Sequence, residues 1–169
     1  ALRSSAALTQ IDNVVFATNS ATAGGGAVAA QGGFLLIRNS DFTSNAAGER
    51  GAAVLGAGAS TQIEDTSFRS HDSDDAFDGS TIHLETGDSA LMRRLTVFGN
   101  DGGITTEGVD TVDIMQSTIA GNGTFGVRII DSPAAGATTA RVRSSIVAGH
   151  PSNNCQLIGN FSNNLMAYN

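Results

Sequence analysis

The sequence predicts an all-β fold, a right-handed parallel β-helix of about six coils. Three observations predict it: a motif that recurs along the whole chain, a composition suited to short strands and tight corners, and a repeat length of one such coil. The stretch from Ile37 to Asn45 carries an aliphatic residue, a large apolar residue five positions later and Asn eight positions later. Copies stand at Ile11/Phe16/Asn19, Ile37/Phe42/Asn45, Ile63/Phe68/His71, Met92/Val97/Asn100, Ile114/Ile119/Asn122 and Val142/Val147/His150, starting 26, 26, 29, 22 and 28 residues apart. Only about a quarter of the residues are Ile, Leu, Val, Met or Phe, so filling every apolar slot by accident is not credible. Repeats at this period mean stacked units, none of which buries its apolar face until a neighbour covers it.

Helical repeats need an apolar period near 3.6 and good helix formers. This chain instead is rich in Ser, Thr, Asn, Asp, Val and Ile, carries 21 Gly and has no Lys. Thr61-Gln-Ile63, Val112-Asp-Ile114 and Ala140-Arg-Val142 alternate with period two, as half-buried strands do. A second strand in each unit follows glycine, at Gly25-Gly-Ala-Val28, Gly51-Ala-Ala-Val54, Gly79-Ser-Thr-Ile82, Gly103-Ile104 and Gly126-Val127, where a positive-φ corner is expected. Left-handed hexapeptide helices use a tighter coil. At roughly 4.8 Å per stacked strand, six coils give a rod on the order of 30 Å long.

Stacking turns columns of the repeat into physical ladders. Phe16, Phe42, Phe68, Val97, Ile119 and Val147 form one expected interior column, and Ile11 through Val142 the other. Asn19, Asn45, Asn100 and Asn122 form a polar turn ladder, with His71 and His150 in the same column. The position after the aliphatic anchor should face solvent; it reads Asp12, Arg38, Glu64, Arg93, Met115 and Arg143, so opposite charges adjoin in the first four coils. On this register Arg38→Glu is expected to destabilise more than Arg128→Glu.

The unbroken repeat makes residues 1–169 one domain. A net charge of −7, a pI near 4.6 and the absence of Lys weigh against nucleic acid or an anionic membrane as partner. No apolar run is long enough to cross a bilayer, so no membrane insertion is expected. The chain starts at Ala1 without Met, and neither end shows a polar lid, so a part of a longer exported protein is expected. Its partners are then flanking domains, further copies of itself joined end to end, or a surface glycan or protein receptor. Cys155, the one cysteine, is either a buried or unpaired thiol or half of a disulfide whose partner lies beyond Asn169 or on another chain.

Phe16-Ala-Thr-Asn19, Phe42-Thr-Ser-Asn45 and Gly25-Gly-Ala-Val28 resemble the Phe-x-x-Asn and Gly-Gly-Ala repeats of chlamydial polymorphic outer-membrane proteins, and the wider class of bacterial right-handed parallel β-helix repeat proteins. Ser144 to His150, Asn154-Cys155 and Asn164-Leu165 are similar to the closing coils of that wider class, where a second cysteine often follows. The resemblance implies a bacterial extracellular or cell-surface location. It implies fold far more than activity, because β-helices carry lyases, hydrolases, adhesins and passive stalks alike.

The one pronounced insertion, His71-Asp-Ser-Asp-Asp-Ala-Phe-Asp78, brings Asp72, Asp74, Asp75 and Asp78 together. Four carboxylates suit Ca²⁺, which takes six to eight oxygens. The spacing matches no EF-hand, and a solvated acidic turn explains it equally. The same segment supplies the best enzymatic set, Asp74, Asp75, His71 and Arg69, comparable to the acid pairs or Arg bases of β-helices that cleave polysaccharides. His150 with Arg141 and Arg143 echoes polygalacturonases only faintly: the Arg pair precedes the Gly-His and no Asn-Thr-Asp triplet exists. Sugar subsites offer aromatic faces, whereas this chain has no Trp, only Tyr168 as tyrosine, and Phe residues largely in interior columns. His83 alternates outward on its strand and is expected on the surface. No nucleophile elbow, phosphate loop or zinc spacing occurs. The sequence thus favours a non-catalytic exported solenoid scaffold, with a polysaccharide lyase or glycoside hydrolase as the alternative.

Overall fold

The computed structural model describes residues 1–74, 79–131 and 137–168, with residues 162–168 as backbone only. Every strand pairs in parallel with its counterpart one coil away. The first sheet stacks Leu2–Ser4, Val28–Gln31, Val54–Ala57, Ile82–Glu85, Ile104–Glu107, Phe125–Ile130 and Asn153–Ile158. The second stacks Leu8–Asp12, Phe34–Arg38, Ser60–Glu64, Ser89–Arg93, Thr111–Met115, Thr138–Ala148 and Phe161–Tyr168. Val15–Ala17, Asp41–Thr43, Ser67–Arg69, Thr96–Phe98 and Thr118–Ala120 make the third, completed by the second half of Thr138–Ala148. Among the described residues a short fourth sheet, Ser20–Ala21, Ala46–Ala47 and Asp72–Ser73, runs through the first three coils and no further. Among the described residues there is no helix, and none long and apolar enough to cross a membrane.

Both interior columns form in the expected register. Phe16, Phe42, Phe68, Val97, Ile119 and Val147 lie opposite one another, as do Ile11, Ile37, Ile63, Met92, Ile114 and Val142. The Phe rings stack at 4.9 and 4.7 Å between centroids, with planes 16° and 18° apart. Parallel strands lie about 4.8 Å apart, so identical rings in one rotamer must stack at that spacing. The first sheet adds a third inward row, Val28, Val54, Ile82, Ile104 and Val127, which Cys155 continues while packing against the core.

The corners are columns too. Asn13, Asn39, Asp65, Arg94, Gln116 and Ser144 all have positive φ between the second and third sheets, and Thr18, Ser44, Ser70, Gly99, Gly121 and Gly149 do so after the third. Asn and Asp tolerate this left-handed region best among residues with a side chain. Gly25, Gly51 and Gly79 take the expected positive-φ corner before the first sheet. Gly103 and Gly126 do not, and are glycine for a different reason: a Cβ on Gly103 would collide with the Gly126 carbonyl oxygen, and one on Gly126 would lie 2.5 Å from that of Asn154. At these two positions the coils approach too closely for any side chain.

The turn ladder is continuous. Each backbone N–H in the column donates to the side chain of the next coil: Asn19 to Asn45 Oδ1 at 2.9 Å, Asn45 to His71 Nδ1 at 3.0 Å, His71 to Asn100 Oδ1 at 3.0 Å, Asn100 to Asn122 Oδ1 at 3.1 Å and Asn122 to His150 Nδ1 at 3.2 Å. Asn Nδ2 groups donate in turn to the preceding coil's carbonyls, Asn45 to Phe16 and Asn100 to Phe68. Imidazole Nδ1 reproduces the acceptor role of the amide oxygen, so histidine fits the column without any catalytic purpose.

The charge column also holds its register, and Arg38 meets Asp12 at 3.3 Å. Glu64 departs from the expected exposure: its side chain is 7% exposed, covered by Arg93 at 2.6 Å and Arg94 at 3.6 Å. Burial alone would raise the Glu64 carboxyl, but hydrogen bonds from Arg93 and Gln62 and the two guanidinium charges outweigh it and hold it below the usual range. Arg128 is no neutral reference for Arg38. Its guanidinium lies 4.1 Å over the buried Phe125 ring and Nε donates to Gln156 Oε1 at 3.1 Å, so Arg128→Glu would itself uncover an aromatic.

Candidate functional site

The outer face of the first sheet is where chemistry gathers. Two rows of side chains point outward there: Ala29, Leu55, His83, Thr105, Arg128 and Gln156 in one, and Gln31, Ala57, Glu85, Glu107, Ile130 and Ile158 in the other. In the first three coils the connection entering this sheet is long, residues 18–27, 44–53 and 70–81; afterwards it shrinks to 99–103, 121–124 and 149–152. The long connections carry the fourth sheet and raise a wall that steps down at the fourth coil. Gly24, Glu49, Arg50, Leu55 and Glu85 line a hollow of about 310 Å³ beside it, and a larger one of about 570 Å³ continues along the first two coils past Gly24, Ala29 and Gln31. Another hollow, of about 830 Å³, lies away from this face and is lined by first-coil residues including Ile11 and Phe16.

At the step stand His83, Glu85 and Glu107, each with a ligand atom within 4.8 Å of the others'. His83 and Glu85 are two apart on one strand and so share a face, while Glu85 and Glu107 are directly opposed on neighbouring strands. His83 Nε2 lies 3.6 Å from Glu85 Oε2, and Ser80 Oγ is 3.4 Å from Nδ1. Arg50 reaches in from the wall, 3.3 Å from Glu85 Oε2 and 3.6 Å from Glu107 Oε2. The expected exposure of His83 is overturned: the side chain does sit in an outward row, but it is 1% exposed. Strand alternation decides the face of a sheet and says nothing of what another segment lays over it.

Of the acidic insertion, residues 71–74 are described. Asp72 and Asp74 are exposed, beside a hollow of about 300 Å³ lined also by Ser20, Thr22 and Gly48. Asp75 and Asp78 lie outside the described residues, so the four-carboxylate calcium set is described only in part. Asp72 pairs with Asp101 of the next coil, and that hydrogen bond together with the second negative charge raises its carboxyl above the usual range. The Asp101 carboxylate also accepts the Ser73 N–H at 3.0 Å. Of the candidate enzymatic set, His71 is buried in the turn ladder and Arg69 Nε donates to Thr43 Oγ1 at 3.1 Å. No hydrogen bond or ion pair joins Arg69, His71 and Asp74 to one another among the described residues.

Three stacked parallel sheets with ladders at every corner define a right-handed parallel β-helix domain. The chain belongs to the family described as "Right handed beta helix region", whose model matches residues 2–169. No curated protein and no solved structure matches the chain. The family covers right-handed β-helices at large; closer kinship with the chlamydial polymorphic proteins rests on the Phe-x-x-Asn and Gly-Gly-Ala motifs alone.

Proposed function

We propose that this domain is a non-catalytic β-solenoid scaffold of an exported bacterial protein, which holds its outer faces rigid for contact with a surface glycan or protein receptor. The observation that carries the reading is the use to which the polar repeat is put. The Asn/His column and the corner residues join each coil to the next, the charge column adds ion pairs between the first and second coils and between the third and fourth, and both histidines of the repeat motif, His71 and His150, are acceptors within the Asn/His column. A rod built this way gains stiffness along its axis from every repeated polar residue. The competing reading, a polysaccharide lyase or glycoside hydrolase, has its best support at Glu85 and Glu107, whose carboxylate oxygens approach within 4.8 Å; paired carboxyls about 5 Å apart serve retaining hydrolases.

A screen on polygalacturonate, alginate and glycosaminoglycans from acid to mildly alkaline pH, with and without Ca²⁺, separates the two. The scaffold reading expects no turnover on any of them. Turnover abolished by Asp75→Asn or by Glu107→Gln would replace it with an enzyme and would say which carboxylates act.

A further inference from the structure

We infer that His83, Glu85 and Glu107 form a binding site for a first-row divalent metal ion of the zinc class on the outer face of the first sheet, with Arg50 as the resident cation that the metal displaces. One imidazole and two carboxylates are a donor set that zinc-class ions accept and that Ca²⁺, an all-oxygen ion, does not favour. The spacing agrees. Donors about 2.1 Å from a shared tetrahedral ion stand roughly 3.4 Å from each other, and His83 Nε2 and Glu85 Oε2 are 3.6 Å apart. The third donor, from Glu107, falls within 4.8 Å of both, a distance that rotation about its side-chain bonds shortens without moving the backbone.

The positions are fixed by the sheet and not by a loop. His83 and Glu85 alternate on one strand, and Glu107 stands beside Glu85 on the next. The His83 ring is 1% exposed, and Ser80 Oγ, 3.4 Å from Nδ1, stands where a group that orients a ligating imidazole belongs, with Nε2 on the side of Glu85. Glu85 also lines the 310 Å³ hollow, so the site has an entry path. The guanidinium of Arg50 approaches the same Glu85 and Glu107 oxygens that would ligate the ion, and its side chain is 46% exposed. It can swing outward at little cost, and a dication replaces its single charge between two carboxylates.

The test uses the full chain in chelator-free buffer, with Zn²⁺ followed by calorimetry and Co²⁺ by visible absorption. The expected result is one ion per chain, an intense tetrahedral-type Co²⁺ spectrum and a Zn²⁺-dependent rise in melting temperature. Glu107→Gln should weaken binding by roughly tenfold or more, whereas Arg50→Gln, which removes the competing cation, should strengthen it. Proton NMR of the three histidine rings gives a readout in wild-type protein even if a variant misfolds: Zn²⁺ should shift His83 and leave His71 and His150 in place. No heat and no melting shift at roughly 100 µM zinc, affinity unchanged in Glu107→Gln, or shifts confined to His150 would each overturn the assignment. None of these outcomes depends on whether the scaffold or the enzyme reading holds.

Discussion

Phe42→Ala lowers the stability of the domain by about 4 kcal/mol. Phe42 is wholly buried and is the middle ring of the Phe16, Phe42, Phe68 stack. Truncation opens a cavity between two coils and removes both ring contacts at once, while Phe16 and Phe68 are held apart by strands that cannot close the gap. Because each coil touches only its neighbours, the loss falls on two interfaces of a quasi-one-dimensional stack. Phe98→Ala is the matched control: it lies on the same sheet, but the residue is 58% exposed, and removal of its ring should cost less than about 0.5 kcal/mol. Denaturant unfolding of the two variants checks the pair, and similar midpoints would contradict the inward placement of the Phe column.

The second large effect is a pH dependence centred on one ladder residue. Burial pushes the His71 imidazole down to about 4, with the carbonyls of Asn45 and Phe42 offsetting only part of that push. An unfolded histidine titrates near 6.5. Between these values the unfolded chain takes up a proton that the folded chain refuses, so stability is complete above about pH 6.5, falls as the pH drops toward 4 and levels off below it. The total is about 3 kcal/mol from this residue alone. His71→Asn places in the third coil the residue that four other coils use at this position. It should keep the acceptor for the Asn45 N–H while removing the titration. Melting temperatures of wild type and variant should converge near neutrality or differ by a constant, then separate in the variant's favour between pH 6.5 and 4. Parallel curves through that window would mean that His71 is not buried in the ladder.

Much of the architecture is written in the sequence because a stacked fold repeats its instructions. The spacing from Ile37 to Phe42 to Asn45 recurs, so three ladders and their register follow from alignment of the chain with itself. The Glu85 and Glu107 pair was legible by the same logic: each stands three residues after an aligned Ile, Ile82 and Ile104, and the two must therefore oppose one another. What alignment does not carry is the contribution of segments outside the repeat. Arg50 sits in a connection, and its reach to Glu85 depends on how that connection folds over the sheet. His83 is buried, and Arg93 and Arg94 together cover Glu64, although both His83 and Glu64 alternate outward on their strands. Glycine was likewise ambiguous: the same residue marks a positive-φ corner at Gly51 and a close approach of coils at Gly103, and only the backbone distinguishes them.

Amide hydrogen exchange of the turn column tests most directly the claim that the polar repeat locks coil to coil. The backbone N–H groups of Asn45, His71 and Asn100 lie at a turn, where amides ordinarily exchange fast, yet each donates to a side chain of the following coil at 3.0 to 3.1 Å. They are predicted to exchange only on global unfolding, as slowly as the core strand amides of Ile63 and Met92. Exchange of these three amides at the rate of an open turn, with the strand amides still protected, would contradict the ladder and with it the account of what the repeat is for.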